Sequence, residues 1–140
     1  MRRALLDTNV LLALAWPNHQ HHAAAHRWFG REAAEGWATC AITGLAFVRL
    51  SSNPAYSPAS VSPSQAATLL QAFTKHEQHR FWAELPPPVP DVFTSAAGHQ
   101  QVMDAYLVRL AKHHRGRIVT FDTPLRAHAS EPSLVYVING

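Results

Sequence analysis

The feature that most constrains this chain is a carboxylate wedged between two apolar runs near its start. Ala4-Leu5-Leu6 lead into Asp7-Thr8-Asn9, and Val10-Leu11-Leu12 follow at once. An apolar run without alternation reads as a short strand covered on both faces, and the second run reads as a buried helix. Asp7 then stands at the carboxyl end of a strand, where open α/β sheets place their ligands. An ordinary alternative is that Asp7 or Thr8 simply caps the helix. The stretch alone leaves both readings open.

The arrangement recurs near the other end. Arg117-Ile118-Val119-Thr120-Phe121 reads as a strand that ends in Asp122, with Thr123-Pro124 as a turn. Between the two, strands and helices alternate. A helix from about Asn9 to Trp16 stops at Pro17. A second covers His19 to Glu35, with Ala24, Trp28 and Phe29 on one face and Gly36 as its stop. Trp37–Ile42 reads as a strand, and Thr43 caps a helix from Gly44 to Leu50. The Pro- and Ser-rich stretch from Asn53 to Ser64 is a loop, after which Ser62 or Ser64 caps a helix to about His76. Phe81–Leu85 looks like a strand, and Pro86-Pro87-Pro88-Val89-Pro90 must be a surface connection. Gly98-His99 opens a helix to about His114 that Gly116 stops, and Leu134–Ile138 is the last strand. This alternation predicts one α/β domain over residues 1–140, with a parallel sheet covered on both faces.

Composition narrows the class. With 47% apolar and 15% charged residues the chain is an ordinary globular one, without a disorder signature. No apolar run approaches the ~20 residues that span a bilayer, and Asp7 interrupts the run behind Arg2 and Arg3 too early for a signal peptide. A cytoplasmic protein without membrane attachment is expected. The single cysteine, Cys40, lies in a predicted strand and reads as a buried thiol. A net charge of +3 permits a nucleic-acid partner without requiring one.

A third acid completes a constellation. Asp104 shares a helix face with Leu107, Val108 and Ala111, an unusual place for a charge. Carboxylates gathered at ~4 Å repel by about 4 kcal/mol per pair at an effective dielectric of ~20. Protons or hard divalent cations relieve such repulsion, and Mg2+ or Mn2+ with oxygen ligands is the natural partner. Such a site suits phosphodiester hydrolysis, although each aspartate also has an ordinary explanation as a cap, a turn residue or an ion-pair partner.

Four segments in register carry a resemblance to a known family: Leu6-Asp7-Thr8-Asn9-Val10-Leu11-Leu12, Phe47-Val48-Arg49-Leu50-Ser51-Ser52-Asn53-Pro54, Asp104-Ala105-Tyr106-Leu107 and Thr120-Phe121-Asp122. The chain resembles the PIN-domain ribonucleases, and within them the VapC toxins of bacterial toxin–antitoxin pairs. The resemblance implies a three-layer α/β/α sandwich with a central parallel sheet and a Mg2+- or Mn2+-dependent endoribonuclease. It also implies a homodimer and a cognate antitoxin that blocks the site, with a structured RNA such as tRNA as substrate. By the same resemblance Asp7, Asp104 and Asp122 are the metal ligands and catalytic acids, with Asn9 and Thr120 as supporting hydrogen-bond partners. The family's usual glutamate, just after the threonine of the third helix, falls at Gly44, and Thr43 stands beside it to lend a hydroxyl.

Other candidates have plain readings beside the functional one. Arg49 is a candidate RNA contact or a helix-end cation. Lys112 and Arg115, in a basic run through Arg117, are RNA-backbone candidates or a solvated helix end. His19, His21, His22 and His26 read as solvated helix histidines, Trp28, Trp37 and Trp82 as core or dimer contacts, and His99 as exposed. Two functions compete: a metal-dependent endoribonuclease, and a PIN-like module that binds RNA or an antitoxin without cleaving because its fourth acid is lost at Gly44. An acidic-site phosphatase or receiver domain fits poorly, since Asp-Thr-Asn lacks a second aspartate and the last strand lacks a lysine.

Overall fold

In the computed structural model, which describes residues 2–57 and 60–139, the opening apolar run forms strand β1 (Ala4–Leu6). Ala4 and Leu6 pack into one hydrophobic cluster and Leu5 into another, so the strand is buried on both faces. In chain order there follow α1 (Thr8–Ala15), α2 (His22–Glu32), β2 (Trp37–Cys40), α3 (Ala41–Ser51), α4 (Pro63–Phe73) and β3 (His79–Trp82). The chain ends with α5 (Val102–His113), β4 (Arg117–Thr120) and β5 (Val135–Val137).

The five strands are all parallel, in the order β3-β2-β1-β4-β5. From β1 the chain builds outward through β2 to β3, then returns past β1 to build β4 and β5 on the other side. Right-handed crossovers that run in opposite directions put their helices on opposite faces. Accordingly, residues of α1, α2, α3 and α4 pack with Ala4 and Leu6, whereas α5 packs with Leu5 and Ile118. The result is a three-layer α/β/α sandwich. The chain reverses its direction of growth between β1 and β4, which opens a crevice at their carboxyl ends.

Several boundaries differ from the sequence expectation. Helix α3 begins at Ala41 rather than at Gly44, because the extended backbone of Cys40 (φ −142°, ψ 171°) already serves as its N-cap. Nothing in Cys40-Ala41-Ile42-Thr43 punctuates that change, so the predicted strand to Ile42 was too long. Strand β3 spans His79–Trp82 instead of 81–85, its register set by Trp37 opposite His79 and Cys40 opposite Trp82. The helix predicted from His19 starts at His22 and gives way to a 3-10 turn at Ala33–Glu35. Ser62, not Ser64, caps α4 in a complete capping box with Gln65. Pro58 and Ala59 of the expected loop lie outside the described residues.

Helix α5 ends where expected, by a different device. Arg115, at φ 58°, takes the left-handed turn, while Gly116 is required for space. A Cβ on Gly116 would stand 2.5 Å from the Arg3 carbonyl oxygen and 2.6 Å from Cη2 of Trp82. Cys40 and the three tryptophans 28, 37 and 82 are buried. Among the described residues no helix is long and apolar enough to cross a membrane.

Candidate active site

The site is built on the register of β1 and β4. Leu6 pairs with Val119, so the residues that follow them, Asp7 and Thr120, emerge side by side at the crevice. The Asp7 amide continues the ladder by donating to the Val119 carbonyl at 2.9 Å. One Asp7 carboxylate oxygen accepts the Thr8 amide at 2.8 Å, and the other accepts the Thr120 hydroxyl at 2.7 Å. Asp7 is thus the N-cap of α1 and at the same time bonded to Thr120 across the β1–β4 edge.

Thr120 is the hub of this edge. Its hydroxyl donates to Asp7, accepts the Asp122 amide at 3.0 Å and receives a longer bond from Asn9 Nδ2 at 3.4 Å. Asn9 Oδ1 in turn accepts the Phe121 amide at 3.4 Å. A hydroxyl has one proton and two lone pairs, and here all three are used, so Thr120 fixes Asp7 and the start of the Asp122 turn together.

The three aspartates meet different environments. Asp7 is buried, only 7% exposed, Asp104 is half-buried at the start of α5, and Asp122 is exposed. Burial pushes the Asp7 carboxyl up to about 6, against the pull of its bonds from Thr120 and Thr8, and the charges of Asp104 and Asp122 push it further the same way. Burial also raises the Asp104 carboxyl, as does the charge of Asp122, while His128 works against both. The three acids thus share one electrostatic neighbourhood. Among the described residues no Lys, Arg or His forms an ion pair with any of them.

These carboxylates fit a hard divalent cation. The donor set is oxygen only, Asp7 is a buried anion without a cation, and each of its oxygens keeps a lone pair beyond the bond it already accepts. The geometry is open rather than closed: among the described residues no three His, Cys, Asp or Glu side chains are gathered tightly enough to hold an ion.

The remaining candidates divide. Thr43 does not reach the aspartates; its hydroxyl donates to the Cys40 carbonyl at 3.3 Å inside the first turn of α3. The expected helper role is replaced by a local helix contact, because α3 starts three residues earlier than predicted. Gly44, where the resemblance puts the family's glutamate, lies in the first turn of α3. The Cβ it lacks would meet Leu70 of α4 at 3.4 Å, and Gly44 lines an apolar groove with Leu45, Leu70 and Phe81. A side chain at 44 would set out toward α4. Arg49 is exposed in the last turn of α3, and Arg115 occupies the left-handed turn after α5. Lys112, exposed on α5, lines a polar groove together with His128. His22 and His26 bond the Ala13 and Leu14 carbonyls rather than sharing an ion.

Sequence reasoning missed His128, whose Nδ1 lies 2.6 Å from the Ser95 hydroxyl and which faces Asp104. No periodicity or motif links positions so far apart, and only the fold brings the turn Thr123–His128 against α5.

Comparison with known proteins agrees with this geometry. A family model described as the PIN domain matches residues 4–131. Ribonuclease VapC39 of Mycobacterium tuberculosis is 46% identical over 133 residues, covering 91% of this chain and 94% of that protein. Ribonuclease VapC38 of the same species is 44% identical over 119 residues, covering 85% of this chain and 84% of that protein. The crystal structure of PAE2754 from Pyrobaculum aerophilum superposes with a TM-score of 0.56 at 20% identity, over 96% of this chain and 83% of that one, which speaks to the fold. On the family match and these relatives, the chain belongs to the PIN-domain family, in its VapC branch.

Proposed function

We propose that the protein is a metal-dependent endoribonuclease, the toxin of a VapC-type toxin–antitoxin pair. The observation that carries this reading is the Thr120 hub, which ties the buried Asp7 to the Asp122 turn at the sheet's switch point. The names of the relatives, all ribonucleases of the VapC type, support the substrate class.

In this reading Asp7, Asp104 and Asp122 hold Mg2+ or Mn2+. The bound ion supplies a lowered pKa for an attacking water and charge neutralisation at the phosphodiester. Thr120 holds Asp7 in its ionised, correctly turned state by donating to one oxygen, and Thr8 does so at the other. Asn9 keeps the Thr120 hydroxyl and the Phe121 backbone in place. Asp122, exposed at the mouth, and Asp104, on the wall of α5, complete the oxygen donor set. A homodimer, a cognate antitoxin, a structured RNA such as tRNA and a cytoplasmic setting belong to the same proposal.

The test is cleavage of a panel of RNAs, tRNA included, with Mn2+ or Mg2+ supplied. Asp7→Asn keeps the shape of the side chain and removes its charge. Loss of several kcal/mol of transition-state stabilisation corresponds to a fall of about 10³-fold in rate. Cleavage undiminished in Asp7→Asn, or no cleavage by the wild type at any metal concentration, would overturn the reading.

A further inference from the structure

A recess runs along α5 from the turn after Asp104 toward the C-terminal end of the helix. It is a cavity of about 250 Å³. Its buried lining is apolar, with Val92, Ala105 and Val108, and its polar lining includes the half-buried Arg109 and His128 and the exposed Lys112. Three segments wall it: the stretch from Asp91 to Ser95, α5, and the stretch from Ala127 to Leu134, and the last two adjoin site aspartates. Ala105 follows Asp104 directly on α5, and the turn Thr123–His128 begins one residue after Asp122. At 1.5 Å rise per residue, Lys112 lies about 12 Å along α5 from Asp104. A strand that presents one phosphate to the aspartates therefore has its flanking nucleotides within reach of this groove.

The rim is chemically suited to a phosphate. Arg109 and Lys112 are cations, and the Ser130 hydroxyl stands with them, while Thr94 donates to the Asp91 carbonyl and Ser95 bonds His128. One anion also stands there: Asp91, whose carboxylate lies 3.4 Å from Arg109 Nη2. Arg109 Nη1 bonds the other carboxylate oxygen, also at 3.4 Å, so a phosphate competes with a two-point pair whose bonds are long and whose Asp91 side chain is 70% exposed. Lys112 forms no ion pair among the described residues. Arg offers a fork that matches a phosphate's two free oxygens, and Lys offers a point charge.

We propose that this groove is a backbone subsite for single-stranded RNA, in which Arg109 and Lys112 hold phosphates that flank the one presented to Asp7, Asp104 and Asp122. The proposal rests on the ribonuclease reading and adds where the strand lies: along α5, on the face of the sheet opposite α1–α4. Contacts of this kind position a strand without reading its sequence. A mixed-sequence probe therefore suffices, and the natural substrate need not be known.

The experiment measures fluorescence anisotropy of a short, labelled, mixed-sequence single-stranded RNA across a salt series. The protein carries Asp7→Asn so that the probe stays intact, and Mg2+ is present. Lys112→Ala and Arg109→Gln should each weaken binding about three- to tenfold and lower the salt slope by about one. Asp91→Asn should tighten binding by removing the competing anion. Lys75→Ala, exposed beyond α4 on the other face, should match the parent. Arg109 also bonds the Asp91 carbonyl at 3.3 Å, so a thermal melt accompanies that variant, whereas Lys112→Ala removes no hydrogen bond or ion pair of the fold.

Equal affinity for Lys112→Ala and the parent, or losses no larger than that of Lys75→Ala, would overturn the subsite. So would a labelled oligoglutamate peptide that binds with the same Lys112 dependence while RNA does not, which would mark an acidic-peptide site instead. Affinity and cleavage fail separately. A wild type that cleaves RNA with Lys112→Ala unchanged removes the subsite alone. Groove-dependent binding without cleavage by the wild type removes the ribonuclease reading and keeps the subsite.

Discussion

The two edges of the sheet are built on opposite terms. At the carboxyl edge Asp7 is buried as an anion with no cation beside it, and its neighbours are two more acids. At the amino edge the strand starts are tied to one another. Ala4 N donates to the Gly36 carbonyl, Arg117 N donates to the Arg3 carbonyl at 2.9 Å, and Arg3 Nη1 donates to the carbonyls of Trp37 and Gln78. Gly116 lets that edge close, with the Arg3 backbone and the Trp82 ring against it. One edge stores electrostatic strain and the other holds the sheet together. The contrast teaches that a local rule broken in this fold marks a site when the rule is electrostatic, and a close approach when the rule is steric.

The largest effect belongs to the amino edge. Gly116→Ala places a Cβ 2.5 Å from a backbone oxygen that β1 and β4 hold in their ladder, so the clash cannot be relieved by a rotamer change. We expect a loss of about 3 kcal/mol, read by urea denaturation. The acid edge would be intact in that variant, and its cleavage at low temperature should be retained. A Gly116→Ala protein as stable as the wild type would remove the amino edge from the comparison.

The carboxyl edge predicts the opposite sign. The folded-state pKa of Asp7, about 6, lies above the ordinary aspartate value of 3.8 that holds in the unfolded chain. The protonated form is thus the one folding favours, and the contribution of Asp7 is full below pH ~4 and lost as pH rises through about 6. A shift of that size corresponds to about 3 kcal/mol. In the metal-free protein, with EDTA present, Asp7→Asn should therefore be more stable than the wild type by about 2 kcal/mol at pH 8. The two should converge near pH 4, and added Mg2+ should narrow the gap at pH 8 by stabilising only the wild type. A difference between the two proteins that does not change with pH would show that Asp7 is not strained.

The same contrast explains how far the sequence could be read. Asp7 stood out because an apolar run without alternation makes a doubly covered strand, and a charge at its end interrupts it in a conspicuous way. Asp104 stood out because its spacing to Leu107, Val108 and Ala111 put a carboxylate on a buried face. The start of α3 did not, since the step from strand to helix at Cys40-Ala41 carries neither glycine nor proline nor a polar cap. The Thr120 hub needed the β1–β4 register, which pairs residues more than a hundred positions apart, and the family resemblance named Thr120 without its geometry. Arg109, Asp91 and His128 share a groove only because α5 crosses to the far face, and local patterning is silent about that. Gly116 was read as a helix stop, whereas Arg115 takes that role and the glycine answers a contact with β1 and Trp82 that lies outside its own helix.

Gly44 gives the smallest effect and tests the acid edge from outside. The resemblance put a missing acid there, but its absent Cβ faces Leu70, and the groove it lines is apolar. Glycine inside a helix costs about 0.5–1 kcal/mol relative to alanine, and a methyl at 3.4 Å from Leu70 makes an ordinary contact. Gly44→Ala should therefore raise stability by roughly that amount and leave cleavage unchanged. Gly44→Glu should not raise cleavage, because its carboxylate would start out among Leu45, Leu70 and Phe81 rather than beside Asp7. Cleavage that rises in Gly44→Glu while Gly44→Ala stays level would return position 44 to the acid edge, and with it the view that this site lacks one carboxylate. Unchanged cleavage in both would leave Asp7, Asp104 and Asp122 as the whole acidic set that the fold brings to the switch point.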